Sequence, residues 1–162
     1  MDKLTKNILK ILESNARTTD KQIAELLNVE EKQVADIRHN LEEAGVIVKY
    51  TTIINYSNSG NDVVDALIEV KVTPQKRSGF DAIAEEIMSF GIVKNLYLMS
   101  GSNDLTLTIE GKSVREISLF VSENLSTIDS VTGTKTHFIL KQYMTAGVKL
   151  NEEFIDKREL ER

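Results

Sequence analysis

A short polar segment, Ser100-Gly101-Ser102-Asn103-Asp104, lies between two stretches whose apolar residues predict β-strands. A plain β-hairpin needs a loop of only two residues, so this loop is longer than its connection requires. Gly101 lets the backbone approach a ligand and point N–H groups at it, while the Asp104 carboxylate can accept from a cation. Asp is also common in turns, where it bonds its own backbone. The segment therefore indicates either a small binding loop or a slightly long hairpin.

Two further sets of side chains could contribute to a site near this loop. Thr132, Thr134 and Thr136 project from one face of the last predicted strand, where their hydroxyl groups could serve a ligand. Threonine is also a common strand residue, so the pattern alone leaves that role open. Tyr97 and Met99, just before the loop, could line a pocket or belong to the core, and the core is the favoured place for Met99.

The residue types that support metal binding or catalysis are sparse. The chain has no cysteine, which excludes disulfides and thiolate zinc sites, and its two histidines, His39 and His137, lie in different predicted domains. No Ser-His-Asp order, phosphate-binding loop or dinucleotide fingerprint is present. We therefore expect no catalytic residues, no metal and no cofactor, and a small enzyme is the least favoured class.

Composition describes a globular chain of 162 residues, with 41% hydrophobic residues, 28% charged residues and a single proline. No apolar run approaches the roughly 20 residues that span a bilayer. The first residues also lack the order of a signal peptide. These features predict a cytoplasmic protein with no membrane partner. The net charge of −5 argues against nucleic acid unless positive charge is locally concentrated.

Apolar residues recur at the spacing of three amphipathic helices in the first third of the chain. The first helix carries Leu4, Ile8, Ile11 and Leu12. Thr19 and Gln22 form the pattern of a capping box that starts the second helix, and Asn28 is suited to ending it. The third spans residues 30–45, ends at Gly45, and has an inner stripe of Val34, Ile37, Leu41 and Ala44. This order predicts a helix-turn-helix domain over residues 1–50.

Charge in this region neither requires nor excludes DNA as a partner. Residues 1–55 hold eight Lys/Arg and nine Asp/Glu, and Glu30, Glu31 and Asp36 on the third helix repel phosphate. Several side chains outside the apolar stripe can nevertheless bind phosphates or base edges. These candidates are Arg17, Lys21, Gln22, Lys32, Gln33, Arg38, His39 and Asn40. The pattern indicates a weak, salt-dependent binder of double-stranded DNA that needs more than one copy.

After Gly45 the pattern becomes extended. Residues 46–56 are rich in β-branched and aromatic residues and predict a strand, and residues 57–62 form a turn-rich linker. We therefore assign residues 51–62 to strand and linker. Residues 63–145 then show a strand-helix-strand-strand-helix-strand order, which predicts a ferredoxin-like unit and an α+β fold class. Its strands are predicted at 63–73, 92–99, 104–111 and 131–144, and its helices at 77–91 and 112–128.

Residues 146–162 form a charged tail, interpreted as a solvated end. A short helix starting at Glu152 is the alternative.

The helices of a ferredoxin-like unit cover one face of its sheet and leave the other bare. Ile68, Val70 and Val72 lie on one side of the first strand and Leu67 on the other, which predicts apolar residues on both faces. A bare apolar face is most simply covered by a second copy. We therefore expect residues 63–145 to be a dimerisation domain.

The ordered set of stretches NARTTDKQIAELLNV, LEEAGVI, NYSNSG and SGSNDLTLTIEG resembles the Lrp/AsnC family of feast/famine transcription regulators, over nearly all of the chain up to Thr145. The resemblance implies DNA-binding dimers that assemble into tetramers, octamers or larger rings and bind an amino acid in the C-terminal domain. It also implies that the Gly-x-x-Asp hairpin forms part of the effector pocket between neighbouring dimers. Together with Tyr97 and the threonines of the last strand, which are candidates from their residue types, this hairpin makes up the candidate effector residues: Tyr97, Gly101, Ser102, Asn103, Asp104, Thr132, Thr134 and Thr136.

A free amino acid fits this loop chemically, because its carboxylate needs N–H donors and its ammonium needs an anion. Two positions depart from the family pattern. Glu30 stands where Ser or Thr usually caps the third helix, and Ile37-Arg38 stands where Arg usually precedes an aliphatic residue. The leading hypothesis is an amino-acid-responsive transcription regulator. The alternative, supported by Glu30, Glu31 and the acidic pI of about 5.2, is an amino-acid-binding or assembly protein that does not read DNA.

Overall fold

A computed structural model describes residues 1–58, 60, 63–73 and 79–150. The chain divides into two compact units, which separate between Ile54 and Asn55. Each unit has its own hydrophobic core, so the two are described separately.

The first unit contains three helices, α1 (Lys3–Ser14), α2 (Asp20–Leu27) and α3 (Glu31–Glu43). The capping box predicted from Thr19 and Gln22 is confirmed: the Thr19 hydroxyl accepts from the Gln22 N–H, and the Gln22 side chain accepts from the Thr19 N–H. Asn28 adopts the left-handed conformation, with φ of 53°, as predicted. Glu30 precedes α3 without a side-chain cap. Because α2 ends at Leu27 and α3 begins at Glu31, the two helices are joined by a short turn, which gives the helix-turn-helix arrangement.

The core of the first unit uses the predicted apolar stripes. Its buried residues are Ile8, Leu12, Ile23, Ala24 and Val34. Leu41 is also buried and Ile37 half-buried, whereas Ala44 is exposed. The prediction that Ala44 lies on the inner stripe is therefore wrong, because α3 already ends at Glu43.

The strand predicted over residues 46–56 is absent from the part of the chain that the structure describes. The N–H groups of Val46 and Ile47 instead donate to the Leu41 carbonyl, at 2.9 and 3.0 Å, and close the end of α3. No regular element follows until a 3-10 turn at Tyr56–Asn58. A strand needs a neighbour to accept its hydrogen bonds, and strand propensity alone supplies none.

The second unit is built on a four-stranded antiparallel sheet with the order β2-β3-β1-β4. Its strands are β1 (Val64–Val72), β2 (Val93–Leu98), β3 (Leu105–Gly111) and β4 (Val131–Ile139). Two helices, α4 (Asp81–Met88) and α5 (Val114–Glu123), connect them in the predicted order. The ferredoxin-like prediction and the α+β class are confirmed.

The helices cover the face to which alternate residues of β1 and β3 point. Its fully buried side chains include Ile68, Val70, Leu105, Leu107, Ile87 and Ile117. The rings of Phe90 and Phe120 add an edge-to-face contact at 5.4 Å between centroids. Met88 and Val114, predicted on inner helix faces, are exposed; they are the last residue of α4 and the first residue of α5.

A small hairpin that sequence reasoning missed follows the sheet. It pairs β5 (Met144–Thr145) with β6 (Val148–Lys149), and its turn residues Ala146 and Gly147 both have positive φ, as a type I′ hairpin turn requires. The last strand of the sheet ends at Ile139, not at 144 as predicted, and the hairpin crosses the expected boundary at 145/146. The predicted tail beyond residue 150 lies outside the described residues, as do 59, 61 and 62 of the predicted linker.

Among the helices of the described ranges, none combines the length and apolarity needed to cross a bilayer.

Candidate functional sites

The outer surface of α3 carries the first group of predicted site residues. Its polar side chains Lys32, Gln33, His39 and Asn40 are exposed, and so are Arg17, Lys21 and Gln22 before and within α2. Gln22 is engaged with Thr19 at the start of α2. Glu30, Glu31 and Asp36 are exposed as well, so the surface of α3 presents both signs of charge.

Arg38 lies differently from the other predicted DNA-binding residues. Its guanidinium forms an ion pair with the Asp20 carboxylate and donates to the Thr18 carbonyl at 3.5 Å. Its side chain is only 22% exposed, and its Nε is a buried donor that has no protein acceptor within the described residues. Arg38 therefore joins α3 to the start of α2, and one of its guanidinium nitrogens is engaged within the unit. Sequence reasoning missed this because Asp20 lies 18 positions away.

Residues after α3 return to that helix through Tyr50. The Tyr50 hydroxyl donates to the Glu42 carboxylate at 2.8 Å. Burial raises the pKa of Tyr50, and the bond to Glu42 raises it further, because the neutral phenol is the donor. This contact fixes the chain leaving the helix-turn-helix.

The polar loop between β2 and β3 is shorter than its sequence suggests. The Met99 N–H donates to the Asp104 carbonyl at 2.8 Å, so the ladder continues one pair past Leu98 and Leu105. Residues 100–103 alone form the connection. Met99, favoured for the core from sequence, is 49% exposed because it alternates with Leu98 and lies, like Tyr97, on the face that the helices leave uncovered.

Asp104 binds this loop to the neighbouring strand β1. Its N–H donates to the Val70 carbonyl at 3.1 Å, and its Oδ2 accepts from the Val72 N–H at 2.9 Å. The side chain thus replaces the backbone acceptor that β3 would offer if it continued. Asp104 is half-buried, and this contact supports the turn-forming role that the sequence left open.

Within the described residues, neither backbone conformation nor packing requires a glycine at position 101. Its φ is not in the left-handed region, and a Cβ added there meets no atom within 4 Å. Both Gly101 and Ser102 are exposed. The small size of residue 101 therefore leaves space outside the loop and serves no packing contact within the unit.

The predicted threonines and Tyr97 lie on different faces. Thr134 and Thr136 pair with Val70 and Ile68, so they are half-buried on the face that the helices cover. Tyr97 pairs with Thr106 on the opposite face and is 53% exposed. The sheet therefore separates Tyr97 from these threonines within one chain.

Thr132 lies at the end of β1 to which the loop is also bound. Its hydroxyl donates to the Lys71 carbonyl at 3.1 Å, beside the register shift between Lys71 and Val72. Asn103, Asp104 and Thr132 thus share one end of the sheet.

The uncovered face of the sheet is more polar than predicted. Leu67 is half-buried there, but its neighbours include Asp65, Glu69, Thr106, Thr108, Glu110, Lys135 and His137. Asp65 lies directly opposite Glu110. Burial raises the pKa of the Asp65 carboxyl, the Glu110 carboxylate raises it further, and Lys94 partly offsets both. The uncovered face is therefore mixed: polar residues alternate with the core positions on β1 and β3, and its apolar residues include Leu67, Tyr97 and Ile139.

Large exposed apolar side chains are also frequent along the chain from the end of β4 to β6. They are Ile139, Leu140, Tyr143, Met144 and Val148, of which Leu140 is 97% exposed. Exposed apolar side chains in such number on a folded unit are typical of an interaction surface.

Comparison with known proteins agrees with both units. The model of the Lrp/AsnC ligand binding domain matches residues 65–148, and that of a winged helix-turn-helix DNA-binding domain matches residues 1–48. The chain is 42% identical over 152 residues to the HTH-type transcriptional regulator YugG of Bacillus subtilis, covering 93% of this chain and 92% of that protein. It is 32% identical over 142 residues to the HTH-type transcriptional regulator LrpA of Pyrococcus abyssi, covering 88% and 98%.

The fold also matches a transcriptional regulator from Neisseria meningitidis whose structure contains L-Met. The TM-score is 0.74 at 22% identity, over 93% of this chain and 97% of that one. Since the ligand-binding model covers the whole sheet and the relatives extend over both units, the chain belongs to the Lrp/AsnC family of transcription regulators.

Proposed function

We propose that this regulator binds double-stranded DNA through the exposed surface of α3. The observation that carries the proposal is the helix-turn-helix geometry, with Lys32, Gln33, His39 and Asn40 exposed along one helix. Their side chains suit phosphates and base edges, and a protruding helix fits the major groove. Arg17, Lys21 and Gln22 lie near the start of α2, where phosphate contacts are common.

The second part of the proposal is a small amino acid as effector at the loop before β3. The exposed Gly101 leaves room for a ligand to approach the backbone, and Asn103 and Asp104 bring polar groups to the same place. Oδ2 of Asp104 is engaged by the Val72 N–H, which leaves Oδ1 for an ammonium group. The L-Met in the Neisseria relative supports an amino acid as the ligand class.

Tyr97, Ser102 and Thr132 complete the proposed effector residues at this end of the sheet, whereas Thr134 and Thr136 face the helices. A pocket that uses all of them requires more than one chain, since one sheet separates them. The exposed apolar side chains from Ile139 to Val148 support self-association. We therefore propose a homodimer that assembles further to a tetramer or octamer.

The role is regulatory and not enzymatic, and the DNA partner places the protein in the cytoplasm. Its relatives are named as transcription regulators, which supports this reading.

A gel-shift titration on the protein's own upstream DNA tests the proposal. It is run at two salt concentrations, with and without each common L-amino acid. We expect binding that weakens with salt and changes with at least one amino acid. Amino-acid binding in calorimetry without any DNA shift would favour the alternative, an effector-binding or assembly protein whose acidic α3 does not read DNA.

A further inference from the structure

The uncovered face of the sheet holds the carboxylate of Glu69, which is not among the proposed effector residues. Glu69 lies in the central strand β1, between Thr106 of β3 and Lys135 of β4 in the ladder. Its side chain is 30% exposed. It reaches towards the loop, because the loop closes over the same end of β1.

The contact that matters is with Asn103. The Asn103 Nδ2 donates to Glu69 Oε2 at 2.8 Å. An ionised carboxylate only accepts hydrogen bonds, so Glu69 selects the nitrogen end of the amide. The Asn103 carbonyl oxygen, Oδ1, then points away from Glu69 and is left as an acceptor on the loop.

His137 approaches Glu69 from the other side. Its Nε2 lies 3.8 Å from the same oxygen, Oε2, on the neighbouring strand β4. Glu69 thus stands between a loop residue and a strand residue. The backbone of Glu69 is held in the ladder between β3 and β4, whereas Asn103 lies in the loop.

We propose that Glu69 is a positioning residue for the effector loop, which holds the Asn103 amide so that Oδ1 faces the ammonium group of the effector. This rests on the proposed effector site. The ammonium would then meet two acceptors, Asn103 Oδ1 and the Asp104 carboxylate, each held from β1. Glu69 itself acts through Asn103 and does not contact the effector.

Calorimetry on the full chain with the common L-amino acids, starting with L-methionine, tests the proposal through a double-mutant cycle. Glu69→Ala should weaken binding about tenfold, since a charge-assisted bond holds Asn103. Glu69→Gln keeps an acceptor and should stay within about threefold of wild type. In the presence of Asn103→Ala, adding Glu69→Ala should cost nothing more.

The matched control is Glu110→Ala, a carboxylate on the same face with 28% exposure that pairs with Lys94 near the other end of the sheet. It should leave binding unchanged. Additive losses from Glu69→Ala and Asn103→Ala, or wild-type affinity in Glu69→Ala, would overturn the positioning role while the effector site stands.

A ligand-free measurement separates the two proposals. Heteronuclear NMR of the full chain labelled on asparagine reports the Asn103 side-chain amide directly. We expect this signal to shift and to exchange faster with solvent in Glu69→Ala and not in Glu110→Ala. If no amino acid binds the wild-type protein, the proposed effector site is refuted. Independently of that result, an unshifted Asn103 signal in Glu69→Ala would refute the proposal that Glu69 positions the Asn103 amide.

Discussion

The Asp104 carboxylate accepts a hydrogen bond from the Val72 N–H, with 2.9 Å between Oδ2 and the nitrogen. The residue proposed to bind the effector therefore also continues the ladder between β3 and β1. A loss of effector binding in an Asp104 variant can therefore come from either role.

Replacing Asp104 by Ala and by Asn separates these roles. Asp104→Ala should lower the free energy of unfolding by about 1–3 kcal/mol, because the half-buried Val72 N–H loses its acceptor. Asp104→Asn keeps an acceptor but removes the charge, so it should melt near wild type and bind the effector about tenfold more weakly. Thermal melts and calorimetry measure the two effects. An Asn variant with wild-type affinity would show that the charge makes no contact with the ligand.

The ion pair between Arg38 and Asp20 predicts a stability effect in the first unit. Arg38→Ala should destabilise this unit by roughly 1.5–3 kcal/mol, because a largely buried hydrogen-bonded charge is lost and Asp20 is left unpaired. Hydrogen exchange of the α3 amides reports on this unit separately. In a double-mutant cycle with Asp20→Ala the two losses should be clearly less than additive. Strict additivity would mean that the pair does not form in solution.

Lys32 tests the DNA surface without disturbing the fold, since its side chain is exposed on α3. Lys32→Ala should weaken DNA binding and reduce the slope of log affinity against log salt by about 1 if it contacts a phosphate. Lys49→Ala, an exposed lysine outside α3, is the matched control. An unchanged slope in Lys32→Ala, or an equal loss in the control, would remove Lys32 from the interface.

Sequence reasoning succeeded where local periodicity decides the structure. The stripe of Val34 and Leu41 predicted the buried side of α3, and the Thr19–Gln22 pattern predicted the start of α2. Both depend on residues within one or two helical turns of each other, so a single stretch of sequence contains the whole cause.

The failures share a different cause, which is a partner distant in sequence or missing from the chain. Residues 46–56 have strand propensity, but no strand of the described ranges lies beside them. Arg38 is polar and lies next to exposed residues, yet Asp20 on another helix draws it inward. The loop from 100 to 104 reads as a free tip, although β1, about thirty positions earlier, binds its last residue. Tertiary contacts of this kind leave no periodic signal.

The exposed apolar side chains after β4 predict the assembly interface. Leu140→Glu should shift the protein towards smaller species in sedimentation velocity at micromolar concentration, because a charge enters a contact that excludes water. Leu119→Glu serves as control, since Leu119 is also exposed but lies on α5. If both variants sediment like wild type, association uses another surface, and the uncovered sheet face becomes the next candidate.

The carboxylates of Asp65 and Glu110 predict a pH-dependent stability. The pKa of Asp65 is raised in the folded chain by burial and then by Glu110, so its protonation favours the folded state, and that stability is lost as pH rises through the folded pKa. Asp65→Asn should therefore stabilise the protein at pH 7 by about 0.2–1 kcal/mol, towards the lower end because solvent screens the pair.

The advantage of Asp65→Asn should shrink as the pH falls below the ordinary range of an aspartate, where the wild-type carboxyl is already protonated. Urea unfolding at neutral and acidic pH measures it. A benefit that stays constant with pH would assign the effect to the amide's own contacts and not to charge.

The division between Ile54 and Asn55 has a consequence for how such regulators diversify. Each unit buries its own core, so we expect the first unit of a relative to replace residues 1–54 here without disrupting the core of the second unit. Recombination at this point would give an existing sensor a new set of operators in a single event. The choice of operator and the choice of ligand can then evolve independently. Chimeras joined at this boundary would combine the operator of one regulator with the ligand of another.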